Sequence, residues 1–193
     1  LGLPEDWECV GMSEIDKYAN MVLRYRFLGV KNYGDIEKIN YKELPDFDVL
    51  VGGSPCQDIS IASAGNRKGL AGSRSRLFYS YVQILKEKQP RYFIFENVKG
   101  LLSSNQGWDF AEVLDQFSEA GYNLWWQVLD ATDFGIPQHR ERVFVLGCLG
   151  RECPRKVFSE RKNIRKNHEL QEYADNAITR RSEESSAIDA RIE

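Results

Sequence analysis

Short apolar runs of strand length alternate with longer amphipathic stretches in this chain, and this alternation most constrains how it can fold. Asp48–Val51 and Tyr92–Phe95 are predicted to be strands, the first of them buried. Between them, Ser75–Lys88 carries apolar residues at helical spacing and is predicted to be a helix that ends before Pro90. A strand, a helix and a second strand in this order indicate an α/β fold.

The segment before this unit continues the alternation. Cys9–Ser13 is predicted to be a strand that ends at Glu14, and Lys17–Phe27 is predicted to be a helix. In the helix, Tyr18, Met21, Val22 and Tyr25 share one face.

The segment after the unit holds a further helix and two more strands. Trp108–Ala120 is predicted to be a helix that Gly121 closes. The last strands are expected at Leu124–Leu129 and Val143–Leu149. Because Asp130–Pro137 is too short for a crossover helix, we expect this last pair to be antiparallel.

The composition limits the class of protein. A chain of 193 residues with 42% hydrophobic and 28% charged residues is long enough for one domain with a real core. It has no apolar run of membrane-spanning length and no signal peptide, so we expect no membrane partner and a cytoplasmic location. The four cysteines lack zinc-site spacing, so we expect reduced thiols and no metal.

The charge is unevenly placed although the net charge is only −3. Residues 151–166 carry seven basic residues against two acidic ones, and residues 169–193 are acidic and polar. One interpretation is a solvated tail, and the other is a phosphate-contacting strip that leads into a recognition region. We therefore divide the chain into a core domain at 1–150 and a polar segment at 151–193.

The tripeptide Pro55–Gln57 is the first candidate for chemistry. It follows the predicted strand through Gly52, Gly53 and Ser54, so Cys56 would lie on a turn at the rim of the sheet. A lone cysteine is more often buried and inert, but the glycine pair and the proline suit a turn and not a core. A thiolate at this place is a candidate nucleophile.

Two further segments carry matching polar groups. The strand at Tyr92–Phe95 leads into Glu96, Asn97 and Val98, so a carboxyl group stands at a strand end. The segment Gln138–Arg142 alternates arginine with other polar residues, so Arg140 and Arg142 are expected on one face. A carboxyl group can hold the edge of a base, and a guanidinium can fix a carbonyl oxygen or a phosphate.

Taken in this order, the three segments closely resemble the DNA cytosine-5 methyltransferase family of bacterial and phage type, from Cys9 to about Cys148. The resemblance implies a doubly wound, mostly parallel sheet of the S-adenosylmethionine-dependent methyltransferase type with an antiparallel C-terminal strand. It implies transfer of a methyl group from S-adenosyl-L-methionine to C5 of cytosine in double-stranded DNA. In the family, the cysteine attacks C6 of a cytosine that has been flipped out of the duplex.

The resemblance also implies a role for each matching residue. In the reaction, Cys56 would be the nucleophile, Glu96 the acid at N3, Arg142 a contact to the base and Arg140 a brace. The residues expected to bind the cofactor are Glu14 at the ribose, Ile15 on the adenine, Asp35 at the exocyclic amine, and Ile36, Pro55 and Leu77. The residues expected to bind the substrate are Gln57, Asn97, Val98 and Gln138. The glycine-rich, basic stretch from Ser60 to Arg74 would be a mobile lid, or else a surface loop.

The chain departs from the family at both ends. It opens on Leu1–Pro4 without the glycine loop that receives the methionine moiety, and the C-terminal motifs are missing. We expect a fragment, a piece of a split enzyme completed by a second polypeptide, or a decayed copy, and the intact catalytic set argues against decay. The 193 residues alone should bind cofactor weakly and turn over poorly.

Three other functions stay open. The same chemistry on tRNA would leave the residues before Gly150 much the same. A non-catalytic partner that binds DNA or a second subunit would not need the missing cofactor loop. A thiol hydrolase would need a histidine base, and only His139 and His168 exist.

Overall fold

The computed structural model describes residues 6–54 and 76–154, and within them four strands form one sheet. The strands are β1 (Val49–Gly53), β2 (Tyr92–Val98), β3 (Tyr122–Asp130) and β4 (Glu141–Leu149). Their order across the sheet is β1-β2-β4-β3. Strand β1 pairs parallel to β2, and β4 pairs antiparallel to both β2 and β3. Three strands thus run one way and β4 runs against them, which confirms the α/β fold and its antiparallel C-terminal strand.

In the described part of the chain, three α-helices connect or flank the strands. They are α1 (Lys17–Arg26), α2 (Arg76–Lys88) and α3 (Trp108–Glu119). Short 3-10 helices lie at Ile36–Lys38, Tyr41–Glu43, Lys99–Gly107 and Ala131–Phe134. Helix α1 begins where Asp16 accepts hydrogen bonds from the backbone of Tyr18 and Ala19. In the described part of the chain, no helix combines the length and apolarity of a membrane span.

The core lies between one face of the sheet and helices α2 and α3. Strand β2 alternates, with Phe93, Phe95 and Asn97 buried and its other residues half-buried. The Phe93 and Phe117 rings lie 4.4 Å apart between their centroids and anchor strand and helix to each other. This alternation sends Glu96 and Val98 to the opposite face, away from the core.

Two expectations about the strands are wrong. Cys9–Ser13 is not a strand, because its only bridge within the described ranges joins Met12 to Asn32 and no neighbouring segment continues the ladder. The strand predicted as buried at Asp48–Val51 lies at an edge of the described sheet, where Val51 is 57% exposed. In both cases the outcome depends on whether another strand pairs with the segment, and the local sequence pattern does not contain that information.

Helix α1 forms as predicted, yet it contains no buried residue. The side chains of its predicted apolar face, Tyr18, Met21, Val22 and Tyr25, are all exposed. The apolar spacing therefore identified the helix correctly, but the face that it defines packs on no core in the described part of the chain.

The cysteines also differ from expectation. Cys148, which is fully buried in β4, forms a disulfide with Cys153, and their Cα atoms lie 5.4 Å apart. Reduced thiols were expected for both, but the turn after β4 returns the chain to within disulfide range. Cys9 is free.

Candidate active site at the carboxyl ends of β1 and β2

The parallel pairing of β1 with β2 brings two of the predicted segments together. Gly53, the last residue of β1, is in register with Glu96 of β2. Ser54 follows Gly53 and is buried. The predicted site residues Pro55, Cys56 and Gln57 come next and lie outside the described residues, as does the stretch to Arg74. The chain therefore enters the predicted nucleophile segment directly beside Glu96.

The antiparallel pairing of β2 with β4 adds Arg142 to this edge. Arg142 is in register with Val98, two residues beyond Glu96, so the Glu96 and Arg142 side chains share one face. Arg142 Nε donates to Glu96 Oε1 at 2.9 Å. The side chain of Arg142 is 22% exposed and that of Glu96 is 41% exposed. A ligand at this edge could therefore reach both groups.

The guanidinium of Arg142 has a second anchor. Its Nη1 donates to the backbone oxygen of Glu141 at 2.8 Å. Lys99 Nζ lies 2.6 Å from Glu141 Oε2, which ties the segment after β2 to the first residue of β4. The guanidinium of Arg142 is therefore held by the Glu96 carboxylate and by the backbone oxygen of Glu141.

Asn97 points away from this edge into the protein. It is only 2% exposed, and its Nδ2 donates to the Ser54 carbonyl at 2.9 Å and to Ser54 Oγ at 3.3 Å. Its Oδ1 accepts from the backbone N–H of Val98 at 2.8 Å. Val98 itself is half-buried beside Arg142.

Arg140 and Gln138 lie in the exposed segment that precedes β4. The Asp130 carboxylate fixes this segment by accepting from the backbone N–H of Thr132 at 3.0 Å and of Arg140 at 3.2 Å. The Thr132 N–H and then His139, whose Nδ1 lies 3.2 Å from Asp130 Oδ2, hold the pKa of Asp130 well below its usual range. The guanidinium of Arg140 makes no ion pair with any described residue, so its bracing role stays a prediction.

The residues predicted to bind the cofactor form a second group. Asn32 links the segment of Glu14 to the segment of Asp35, because its Oδ1 accepts from the backbone N–H of Glu14 at 3.1 Å and of Gly34 at 3.0 Å. The Glu14 carboxylate accepts from the backbone N–H groups of Ile15 and Asp16, both at 2.8 Å. The Ile15 side chain is 74% exposed and stands next to this carboxylate.

Asp35 and Ile36 begin the short helix that rests on α2, the helix that carries half-buried Leu77. Asp35 accepts from the backbone of Glu37 at 3.1 Å, and its Oδ2 lies 3.0 Å from Lys38 Nζ. The hydrogen bond from Lys38, with the one from Glu37, lowers the pKa of the Asp35 carboxyl. Asn32 thus links Glu14 to Gly34, the residue before Asp35, and the short helix that begins at Ile36 contacts α2, which carries Leu77.

Three residues of the site were not predicted from the sequence. Gly53 stands so close to Glu96 that an added Cβ would lie 2.4 Å from the Glu96 carbonyl oxygen. The glycine pair at the end of a strand is a signal for such an approach. Asn32 and Asp130 bind backbone groups that are up to 18 and 10 residues away, and no local pattern reveals that.

The sequence of this chain is similar to those of known proteins. The profile of the family described as C-5 cytosine-specific DNA methylase matches residues 2–192. The orphan methyltransferase M.Rho11sI of Bacillus phage rho11s is 47% identical over 144 residues, which are 74% of this chain and 28% of that protein. The type II methyltransferase M.BsuFI of Bacillus subtilis is 44% identical over 140 residues, which are 72% of this chain and 34% of that protein. The chain spans about a third of the length of the curated relatives it matches.

Solved structures share the fold. The S. pombe Dnmt2 methyltransferase superimposes with a TM-score of 0.63 at 24% identity, covering 84% of this chain and 51% of that one. A DNA modification methyltransferase described as putative, encoded within an E. coli prophage, gives a TM-score of 0.57 at 24% identity, covering 73% of this chain and 40% of that one. With the profile match over nearly the whole length, these findings show that the chain belongs to the family of C-5 cytosine-specific DNA methylases.

Proposed function

We propose that this chain carries the catalytic centre of an enzyme that methylates C5 of cytosine in DNA, with S-adenosyl-L-methionine as methyl donor. One observation supports this most. The carboxylate of Glu96 and the guanidinium of Arg142 meet at 2.9 Å on the sheet edge where Ser54 leads into Cys56. A nucleophile, a group for the ring nitrogen and a cation for the carbonyl oxygen would then converge on one base.

The chemistry requires help from the ring nitrogen. C5 of cytosine is a poor nucleophile until a thiolate adds at C6, and that addition places negative charge on the ring. Glu96 would relieve this charge by a proton or hydrogen bond at N3, while Arg142 would donate to the carbonyl oxygen. Since Glu96 and Arg142 bind each other in this structure, a base that enters would replace part of their mutual contact.

Bonds and protons balance over the cycle. The S–C6 bond of the Cys56 adduct forms, C5 gains a methyl group, the C5 proton leaves to a base, and the S–C6 bond breaks to restore the ring. Bound S-adenosyl-L-methionine would supply the methyl group as an electrophile: its methyl–sulfur bond would break as the bond to C5 forms, and the remaining neutral thioether would be the leaving group. Because the face of a stacked base is closed to attack, the cytosine would have to leave the duplex first.

The residues of the second group fit such a donor. Two carboxylates, Glu14 and Asp35, can accept from ribose hydroxyls and an exocyclic amine, and the exposed Ile15 offers an apolar surface for adenine. We assign Ile36, Leu77 and Pro55 to the apolar wall of the same pocket.

The remaining assignments are parts of the same proposal. Gln57, Val98 and Gln138 would lie around the base, and Arg140 would brace the site. The segment at 151–193 would lead toward a region that recognises the target sequence. The exposed edge of β1 could pair with a further strand, from this polypeptide or from a second one.

The nucleophile is tested with DNA that contains 5-fluorocytosine, because fluorine at C5 cannot leave as a proton and the adduct persists. The protein that the gene encodes should form a covalent complex with this DNA when S-adenosyl-L-methionine is present. Cys56→Ala should abolish the complex, and Cys9→Ala, a matched change at a free cysteine, should retain it. An adduct that survives Cys56→Ala would exclude Cys56 as the nucleophile.

The acid is tested by Glu96→Gln, which keeps the shape of the side chain and removes its charge and proton. We expect single-turnover methyl transfer to fall by roughly 10²–10⁴-fold, the usual range for general acid–base catalysis. Glu119→Gln, the same change at an exposed residue of α3, is the control. Equal rates for the two variants would contradict the role of Glu96.

The substrate nucleic acid is identified by comparing methyl transfer to DNA with methyl transfer to tRNA. The family profile favours DNA, whereas the described residues of the site are equally compatible with cytosine in tRNA. Methyl transfer is therefore measured on duplex DNA and on tRNA at equal cytosine concentration. Preference for tRNA would assign the alternative substrate, and cofactor binding without transfer to either would favour a non-catalytic partner.

A further inference from the structure

Four charged side chains lie where β2 ends and β4 begins, and two of them have no role in the proposed reaction. Glu96 and Arg142 form one ion pair. Lys99 and Glu141 form a second, with 2.6 Å between Lys99 Nζ and Glu141 Oε2. The last backbone pair of β2 with β4 is Val98 with Arg142, and Lys99 and Glu141 are the next residues of the two segments. The second ion pair thus joins β2 and β4 just beyond the end of their backbone pairing.

The two ion pairs are connected through Glu141. Its backbone oxygen accepts from Arg142 Nη1 at 2.8 Å, while its carboxylate binds Lys99. The Nε of the same guanidinium donates to Glu96 at 2.9 Å. Glu141 therefore holds Arg142 by its backbone and is itself tied to the segment after β2 by its side chain.

Strand β3 holds the start of β4 from the other side. Glu141 is in register with Asp130, the last residue of β3, and the backbone N–H of Ala131 donates to the Arg140 carbonyl at 3.2 Å. Glu96, however, belongs to β2. The contact from Lys99 therefore fixes the start of β4 relative to the strand that carries the proposed acid.

This contact gains importance when a base enters the site. The base would replace part of the contact between Glu96 and Arg142, so the guanidinium would depend more on its bond to the Glu141 carbonyl. The ion pair of Glu141 with Lys99 involves neither Glu96 nor the Arg142 side chain. It can therefore persist while the base is bound.

We propose that Lys99 and Glu141 are positioning residues, whose ion pair fixes the start of β4 and so holds the Arg142 guanidinium in place beside Glu96. The catalytic consequence rests on the proposed function. The two side chains are 35% and 33% exposed, and ion pairs this accessible to water contribute little to stability. Their loss should therefore slow the chemical step more than it weakens the fold.

The experiment compares variants of both partners in the protein that the gene encodes. Lys99→Met removes the charge and keeps the length of the side chain, Glu141→Gln removes the charge of the partner, and Lys99→Arg restores a cation. Lys88→Met is the matched control. Lys88 Nζ lies 2.7 Å from Asp46 Oδ1, so the control breaks a lysine ion pair near the opposite end of β2.

Three quantities are measured for each variant. They are the single-turnover rate of methyl transfer, the dissociation constant for DNA, and the rate at which phenylglyoxal modifies Arg142 in the free protein, followed by peptide mass spectrometry. The Arg142 side chain is 22% exposed, so the reagent can reach it. A guanidinium held by hydrogen bonds reacts more slowly than a released one, and the modification rate therefore reports its positioning without any methyl transfer.

Both single variants should behave alike. For Lys99→Met and for Glu141→Gln we expect about tenfold slower transfer, DNA affinity within about threefold, and modification of Arg142 at least about threefold faster. Their melting temperatures should fall by no more than about 4 °C. Because both changes break one contact, the double variant should be no slower than the slower single variant. Lys99→Arg should recover most of the rate, and Lys88→Met should change neither the transfer rate nor the modification of Arg142.

The outcomes separate the inference from the proposed function. If the unchanged protein transfers no methyl group to any cytosine, the proposed function fails, and the modification of Arg142 alone decides the positioning role. Equal modification in all variants would overturn that role. A loss of DNA affinity in Lys99→Met that Glu141→Gln does not share would make Lys99 a phosphate contact, and additive losses in the double variant would show two independent effects. Either result would also overturn the inference.

Discussion

Gly53→Ala tests how closely β1 must approach Glu96. The new Cβ would lie 2.4 Å from the Glu96 carbonyl oxygen, 3.3 Å from the carbonyl carbon and 3.1 Å from Oε2. Real Cβ atoms essentially never lie within 3.0 Å of a heavy atom to which they are not bonded. To lengthen the 2.4 Å contact with the Glu96 carbonyl oxygen to this limit, the end of β1 or β2 must shift by at least about 0.6 Å. The obstacle is mostly backbone, so no side-chain rotation relieves it.

The shift should reach the catalytic groups directly. It moves Glu96 on one side and Ser54 on the other, and a displacement near 1 Å can cost about 100-fold in rate. We therefore expect single-turnover methyl transfer to fall by roughly 100-fold, with a loss of unfolding free energy of about 1–3 kcal/mol from overpacking. The affinity for DNA should change little.

The assay follows transfer of labelled methyl groups under single-turnover conditions, at a temperature where circular dichroism shows the variant to be folded. Gly100→Ala is the matched control, since its Cβ would meet only Val98 Cγ2 at an ordinary 4.0 Å. A rate for Gly53→Ala within threefold of the rate for Gly100→Ala would refute the steric reasoning.

Three further predictions concern the core and the segment before β4. Gly147→Ala would place a Cβ 1.9 Å from Phe93 Cε1, so urea denaturation should show a loss of about 1–3 kcal/mol or more, and adding Phe93→Leu should recover part of it. Tyr122→Phe removes the hydroxyl that donates to the Pro90 carbonyl at 2.9 Å and should cost about 1 kcal/mol in the same assay; no loss would contradict this bond. The lowered pKa of Asp130 stabilises the native state above about pH 4, and this stability is lost as pH falls. Thermal melts of Asp130→Asn should therefore depend less on pH in that acid range, and an unchanged pH dependence would contradict the interpretation.

The elements of this protein are largely decided by local sequence. Apolar spacing and the break before Pro90 predicted α2, and the glycine at 121 predicted the end of α3. The short connection Asp130–Pro137 predicted that β3 and β4 are antiparallel, because a parallel crossover needs more residues. These features depend on residues that are near one another in the chain.

The placement of the site depended on tertiary structure. The sequence named Glu96, Asn97 and Arg142 as candidates, yet only the pairing of β2 with β1 and β4 shows that Glu96 meets Arg142 while Asn97 turns inward to Ser54. The failure of the predicted strand at Cys9–Ser13 has the same origin. A strand, an ion pair or a buried amide needs a partner from elsewhere in the chain, and the partner is chosen by packing and not by the residues on either side.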